Sequence, residues 1–285
     1  MSVRRIAPLA GLLFFSLLGR LASNPAPALP LASLGGLSGR LRAAFALPGD
    51  GIAAAAGPQG ERPGIVTLFR EGARSFQLIV MRPFSEKIGG RIGGYRLGRW
   101  PYEGAEPANP AYADPKGFIE VTPQNFSTRV SEHFSLGQFI TKDQLQVWPK
   151  YVVLESRLLD KLELTIEQLR RTGHPVRGLY VMSGFRTPEY NERGVGEGGR
   201  SAVSRHQYGD AADVYPDDRG RGRMDDLNHD GRVDLKDARI LAAAADAVEA
   251  RHPELAGGIG IYPATSAHGP FVHIDARGKR ARWGG

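Results

Sequence analysis

One ten-residue stretch limits what this chain can become: Ser204-Arg205-His206-Gln207-Tyr208-Gly209-Asp210-Ala211-Ala212-Asp213. It sets an imidazole and a carboxylate seven residues apart, with small residues between them. Gly209 and Ala211 let the backbone turn back so that His206 and Asp213 can meet at one point. Imidazole nitrogen with carboxylate oxygen is a zinc donor set, and a catalytic zinc takes three protein ligands and keeps one position open. The third ligand is expected in Gly269-Pro270-Phe271-Val272-His273-Ile274-Asp275, which reads as a short strand after a Gly-Pro break. His273 is the candidate there, and His206, Asp213 and His273 would make a hydrolytic zinc site.

The pattern Ser-x-His-x-x-Gly-x-Ala-x-Asp, followed by a later strand histidine, resembles the zinc D-Ala-D-Ala carboxypeptidases and murein endopeptidases of the Hedgehog/DD-peptidase fold. Ser204, His206, Gly209, Ala211 and Asp213 all match it, and the resemblance runs from about Ser131 to Trp283. It implies an α+β catalytic domain, a small antiparallel sheet flanked by helices. It also implies hydrolysis of an amide bond in peptidoglycan peptides, by carboxypeptidase or endopeptidase action. In that family an arginine in a Ser-Gly-Phe/Tyr-Arg segment lies beside the metal. Arg186, in Ser183-Gly184-Phe185-Arg186, would polarise the scissile carbonyl or hold a substrate carboxylate.

The sequence departs from many members of that family at the general base. They carry His-x-His, or an acidic residue three before the last zinc ligand; Phe271 and Pro270 stand at those positions and can do neither. A branch resembling the murein endopeptidases carries His-x-Asp, as in His273-Ile274-Asp275. Residues two apart on a strand share a face. Asp275 is therefore a candidate general base, with fixing of the His273 ring as its alternative role. His268 is a weaker candidate for transition-state stabilisation. The missing usual base keeps a second reading open, a non-catalytic, zinc-stabilised cell-wall binding module.

A second metal site is expected between the zinc motifs. Asp226, Asn228, Asp230, Asp234 and Asp237 stand at positions 1, 3, 5, 9 and 12 of a calcium loop, with Gly231 at 6 and the Arg232 carbonyl at 7. Asp237 replaces the usual Glu, which resembles the loops of dockerin-type modules. His229 inside the loop is not counted as a zinc ligand. The calcium would be structural, stiffening an insertion between the zinc ligands, and loop 226–237 would sit within the peptidase domain.

The remaining chain divides by composition. Residues 1–23 carry Arg4, Arg5 and a short apolar run, the pattern of an export signal or an uncleaved anchor. Residues 24–62 are rich in Pro, Ala and Gly and read as a linker. Residues 63–125 read as a small β-rich domain, with strands at 65–69, 76–81, within 88–97 and at 117–122. In that domain Tyr95, Trp100 and Tyr102 are expected in the core, with stacking on sugar rings as the alternative. Residues 126–285 are the zinc peptidase domain. Its clearest helix is expected over Trp148–Arg171, and His133 is read as structural.

There is no cysteine, which excludes disulfides, thiol catalysis and Cys zinc sites. A net charge of +7 suits anionic partners. No nucleic-acid motif accompanies it. Peptidoglycan peptides are the expected partner and the periplasm or cell envelope the expected location, with membrane contact only through an uncleaved N-terminal anchor.

Overall fold

A computed structural model describes residues 43–71, 74–196 and 200–285. The expected signal segment and most of the expected linker lie outside the described residues. Within them the fold is mixed α+β, built from several small sheets and few helices, with no closed barrel.

The linker reading gives way at its C-terminal end. Ala43–Ala46 is strand β1 and Gly51–Ala55 a short helix, α1. Ala43, Ala46 and Ala53 are buried, because small apolar side chains can enter a core that a solvated linker would avoid. Strands β2 (Gly64–Glu71) and β3 (Arg74–Val80) pair antiparallel, and β1 joins β3 in parallel. Next come β4 (Arg82–Pro83), then β5 (Arg91–Ile92) and β6 (Tyr95–Arg96), the last two forming a hairpin around Gly93 and Gly94.

Strand β7 (Gly117–Val121) pairs with β4 on one side and with β8 (Lys150–Val152) on the other. Pairing thus crosses the expected boundary at residues 125 and 126. The core crosses it too: Trp100 packs 6.5 Å from Phe185 and 5.8 Å from Phe118. The helix expected from Trp148 starts later, at Ser156. Pro149 disfavours helix at the residue before it, and Tyr151-Val152-Val153 suits a strand. Helix α2 (Ser156–Arg171) then buries Leu158, Leu159, Leu162, Ile166 and Leu169 along one face.

The largest sheet has five strands in the order β13-β11-β12-β10-β9. They are β9 (Tyr180–Ser183), β10 (Ala211–Tyr215), β11 (Gly258–Tyr262), β12 (Phe271–Asp275) and β13 (Ala281–Gly284). The one-turn helix α3 (Pro188–Glu192) follows β9, and α4 (Leu235–Arg251) lies between β10 and β11. Helices α2 and α4 pack on each other and on one face of this sheet. Val214, Val272 and Ile274 point to that face and are fully buried. Asp213 and His273 point the other way, and they are direct cross-strand partners of the β10–β12 ladder.

Candidate metal centre

The three expected zinc ligands come together. His206 Nε2 lies 3.2 Å from Asp213 Oδ1 and 3.1 Å from His273 Nδ1, and His273 Nδ1 lies 3.0 Å from Asp213 Oδ1. All three side chains are buried. Adjacent ligands of a tetrahedral ion bound at about 2.0 Å stand about 3.3 Å apart. The donor triangle therefore fits a tetrahedral metal, and among the described residues it is a group that could hold an ion.

Each ligand is aimed by its other atoms. The turn Arg205–Tyr208 ends at Gly209 in the left-handed conformation, φ 70°. A Cβ there would meet Val153 O at 2.3 Å, so only glycine permits both the turn and the close approach. His206 Nδ1 donates to Gly184 O at 2.6 Å, which fixes the tautomer that leaves Nε2 facing the triangle. His273 is held the other way round. Its Nε2 meets Asp275 Oδ2 at 3.0 Å, leaving Nδ1 for the triangle. Asp213 keeps Oδ1 inward while its Oδ2 accepts from Arg186 Nη2 at 2.5 Å.

The turn that carries His206 is braced from the N-terminal half. Trp100 Nε1 donates to Gln207 O at 2.8 Å. The Arg205 guanidinium spans Tyr112 and Tyr208, 4.9 and 4.6 Å from their ring centres, donates to Ala111 O and grips both oxygens of Asp210.

Electrostatics follow from burial and close partners. Burial pushes the His206 pKa down to about 4, with the nearby Asp213 opposing. Burial also works against a charged His273, but hydrogen bonds to Asp213 and Asp275 outweigh it and raise that ring to about 9. Burial would raise Asp213; His206, His273 and Arg186 together hold it well below the usual carboxylate range. Without an ion the triangle thus keeps a proton on His273, between two carboxylates, and an incoming cation must displace it.

The remaining candidates divide. Asp275 is fully buried behind His273, on the side away from the triangle. Besides the ring it accepts from Gly258 N at 2.7 Å and from the Arg277 guanidinium at 2.5 Å. Its position matches the ring-fixing alternative; as a general base at the open side of the triangle it is misplaced, because the imidazole stands between. His268 lies outside the donor triangle, with Nδ1 at 2.8 Å from Gly269 O and its ring edge against Phe271. Arg186 lies at the site as expected, bound to Ser183 Oγ at 2.9 Å and to Asp213. His133 joins buried Glu163 at 2.5 Å, the structural role expected of it.

Sequence reasoning missed several neighbours. Trp283 of β13 lies 5.2 Å from the His273 ring and covers Gly258 and Gly260, where a Cβ would come within 2.8 and 2.2 Å of the indole. Its Nε1 donates to the Tyr262 hydroxyl, and Tyr262 stacks on Phe271 at 4.6 Å. Glycines two apart on one strand face were the available sign that a large ring lies over them.

The expected calcium loop is a tight turn with His229 and Gly231 at positive φ, 58° and 83°. Asp226 accepts the Asp230 and Gly231 amides, Asn228 Oδ1 accepts the Asp230 amide, and Asp230 Oδ1 accepts the Arg232 amide. Asp234 caps α4 through the Lys236 amide. Asp237 is buried and accepts from the Leu227, Asn228 and Asp234 amides, so it clamps the two ends of the loop. Lys236 Nζ lies 2.9 Å from Asp230 Oδ2. Comparison with protein-family models, with curated proteins and with solved structures returned no match for this chain.

Proposed function

We propose that the chain is a zinc-dependent hydrolase that cleaves an amide bond in peptidoglycan peptides, on a Hedgehog/DD-peptidase-like fold. One observation carries the reading: three donor atoms converge, while the opposite atom of each ligand is tied to Gly184, Asp275 or Arg186. Two imidazoles and one carboxylate suit zinc, and three protein ligands leave a position open. When bound, zinc supplies a Lewis acid that makes water acidic enough to attack near neutral pH.

The protein's own residues supply the rest. Asp275 fixes the His273 tautomer and its ring plane. Arg186 spends Nε and Nη2 on Ser183 and Asp213. That leaves Nη1 to meet the oxyanion that develops on the scissile carbonyl. Tyr262 and Trp283 form an apolar wall beside His273 that limits water.

Purified protein incubated with muropeptides should release new amines only with zinc. A chelator should stop the release, zinc should restore it, and His206→Ala should lack it. Metal-loaded protein that binds muropeptides and cuts none would instead establish the binding-module reading. That second reading is favoured by the placement of Asp275 behind the imidazole, away from the open side of the donor triangle.

We also propose that loop 226–237 takes a structural calcium through Asp226, Asn228, Asp230, Asp234, Asp237 and the Arg232 carbonyl. Calcium at a hundred times its Kd should stabilise the fold by about 2.7 kcal/mol, read as a raised Tm. Asp226→Ala should abolish the rise; an unchanged Tm in the parent protein rejects calcium here. Export to the periplasm or cell envelope accompanies these readings. No helix among the described residues is long and apolar enough to cross a membrane.

A further inference from the structure

We propose that the N-terminal region, residues 43–125, sets the position of the His206 donor and so belongs to the metal centre rather than forming a separate module. Trp100 and the turn at Ala111 and Tyr112 do this through residues 205–210. The proposal rests on the metal-centre reading and is independent of hydrolysis.

The three donors are not held alike. Asp213 and His273 are direct partners in the β10–β12 ladder, so the sheet fixes them relative to each other. His206 lies off the sheet, in the turn Arg205–Tyr208. Its place in the triangle depends on what holds that turn. Four main-chain oxygens there each take a donor from a different stretch of chain. His206 O accepts from Arg186 N at 3.1 Å, Gly209 O from Glu155 N at 3.0 Å and Asp210 O from Ala276 N at 2.9 Å. Gln207 O accepts from Trp100 Nε1 at 2.8 Å. Trp100 is the side-chain donor among these four, and it comes from the N-terminal region.

Trp100 also acts on His206 from a second direction. Its ring packs 6.5 Å from that of Phe185, at 22°. Phe185 follows Gly184, whose carbonyl takes His206 Nδ1 at 2.6 Å. Buried Arg205 carries the other link. Its Nη1 donates to Ala111 O at 2.6 Å, while Nε and Nη2 reach the two Asp210 oxygens at 3.0 and 2.5 Å. The Tyr112 and Tyr208 rings pack on the guanidinium. A two-pronged arginine–carboxylate pair fixes direction as well as distance. It ties both ends of the His206 turn to each other and to the Ala111 main chain.

The seam around these contacts is bonded along its length. The Gln144 side chain takes Arg96 N at 2.8 Å and donates to Arg96 O at 2.9 Å. Glu189 N donates to Leu97 O at 3.0 Å. Gly98, at φ 82°, admits this approach, because a Cβ there would lie 2.6 Å from Glu189 N. A module swinging on a linker would give these groups up to water, as it would the β7–β8 pairing.

The test measures zinc affinity of the full chain by competition with a chromophoric chelator. The visible spectrum of the cobalt-loaded chain reports the geometry around the ion. Trp100→Phe keeps a ring and removes the N–H, and Arg205→Lys keeps the charge and removes the fork. Each should weaken zinc binding about tenfold and alter the cobalt band even at saturating cobalt. Tyr112→Phe keeps the covering ring and should match the parent. Leu78→Ala is the stability control, since Leu78 belongs to a separate small core with Ala44, Ala46, Ala53 and Val80. It should lower Tm and leave zinc affinity unchanged. Parent-like zinc affinity and cobalt spectrum in either Trp100→Phe or Arg205→Lys overturn the proposal. An equal loss of affinity in Leu78→Ala overturns it too, because affinity would then follow stability alone. A parent protein that binds neither ion removes the centre and the proposal together, whereas zinc binding without hydrolysis leaves both standing.

Discussion

Asp275 is the residue on which two chemical roles part company. A general base must reach the attacking water, whereas a ring-fixing carboxylate must sit behind the ligand it fixes. With Oδ2 at 3.0 Å from His273 Nε2, and with Gly258 and Arg277 completing its bonds, Asp275 occupies the second position. Asp275→Asn should therefore weaken zinc binding by about 10–100-fold, measured by competition with a chromophoric chelator. Unchanged zinc affinity with lost hydrolysis would assign it the proton instead. The triad itself was legible because its donors come from a spaced motif and a short strand with one histidine. Strand alternation also placed Asp275 on the His273 face. It did not say which side of the imidazole the carboxylate takes, because that depends on Gly258 and Arg277, which no spacing rule connects to it.

At the scale of elements, α2 was legible over most of its length from the spacing of Leu158, Leu162, Ile166 and Leu169. Its start was not, since the same leucine rhythm runs back to Leu154, which lies between β8 and the helix. This helix also carries a cost. Half-buried Asp160 loses hydration and faces Glu163 and Glu254, which raises its pKa from 3.8 to about 6. A carboxyl with a raised folded-state pKa favours the folded state when protonated. Stability is therefore lost as pH rises from about 4 through 6, and the loss is complete above that range. Asp160→Asn should stabilise the protein at pH 7.5 by about 1 kcal/mol, allowing for solvent screening. The gain should vanish near pH 4. Urea denaturation at the two pH values measures both, and a destabilised variant at pH 7.5 would show that Asp160 is instead favourably bonded.

Across the whole molecule, a buried charge network stands behind the metal centre. Lys161 of α2 donates to Glu249 of α4 at 2.6 Å and to the main-chain oxygen of Asp275 at 2.5 Å. Glu249 also takes Gly257 N and the Arg282 guanidinium. Two helices and strand β12 therefore meet at one ammonium, and Arg282 joins β13 to it through Glu249. Lys161→Met leaves buried acceptors unpaired and should cost about 3–5 kcal/mol in urea unfolding, with weaker zinc binding as well. A cost under about 1 kcal/mol would mean the network relaxes without it. None of these partners was legible, because 88 and 114 residues separate Lys161 from Glu249 and Asp275. The same distance in sequence hid the bracing of His206 by Trp100. That brace orders events in time. Residues that cradle the first histidine precede it in the chain, while the last donor lies 67 residues beyond it. The ion's grip is therefore incomplete until β12 has been made and paired with β10.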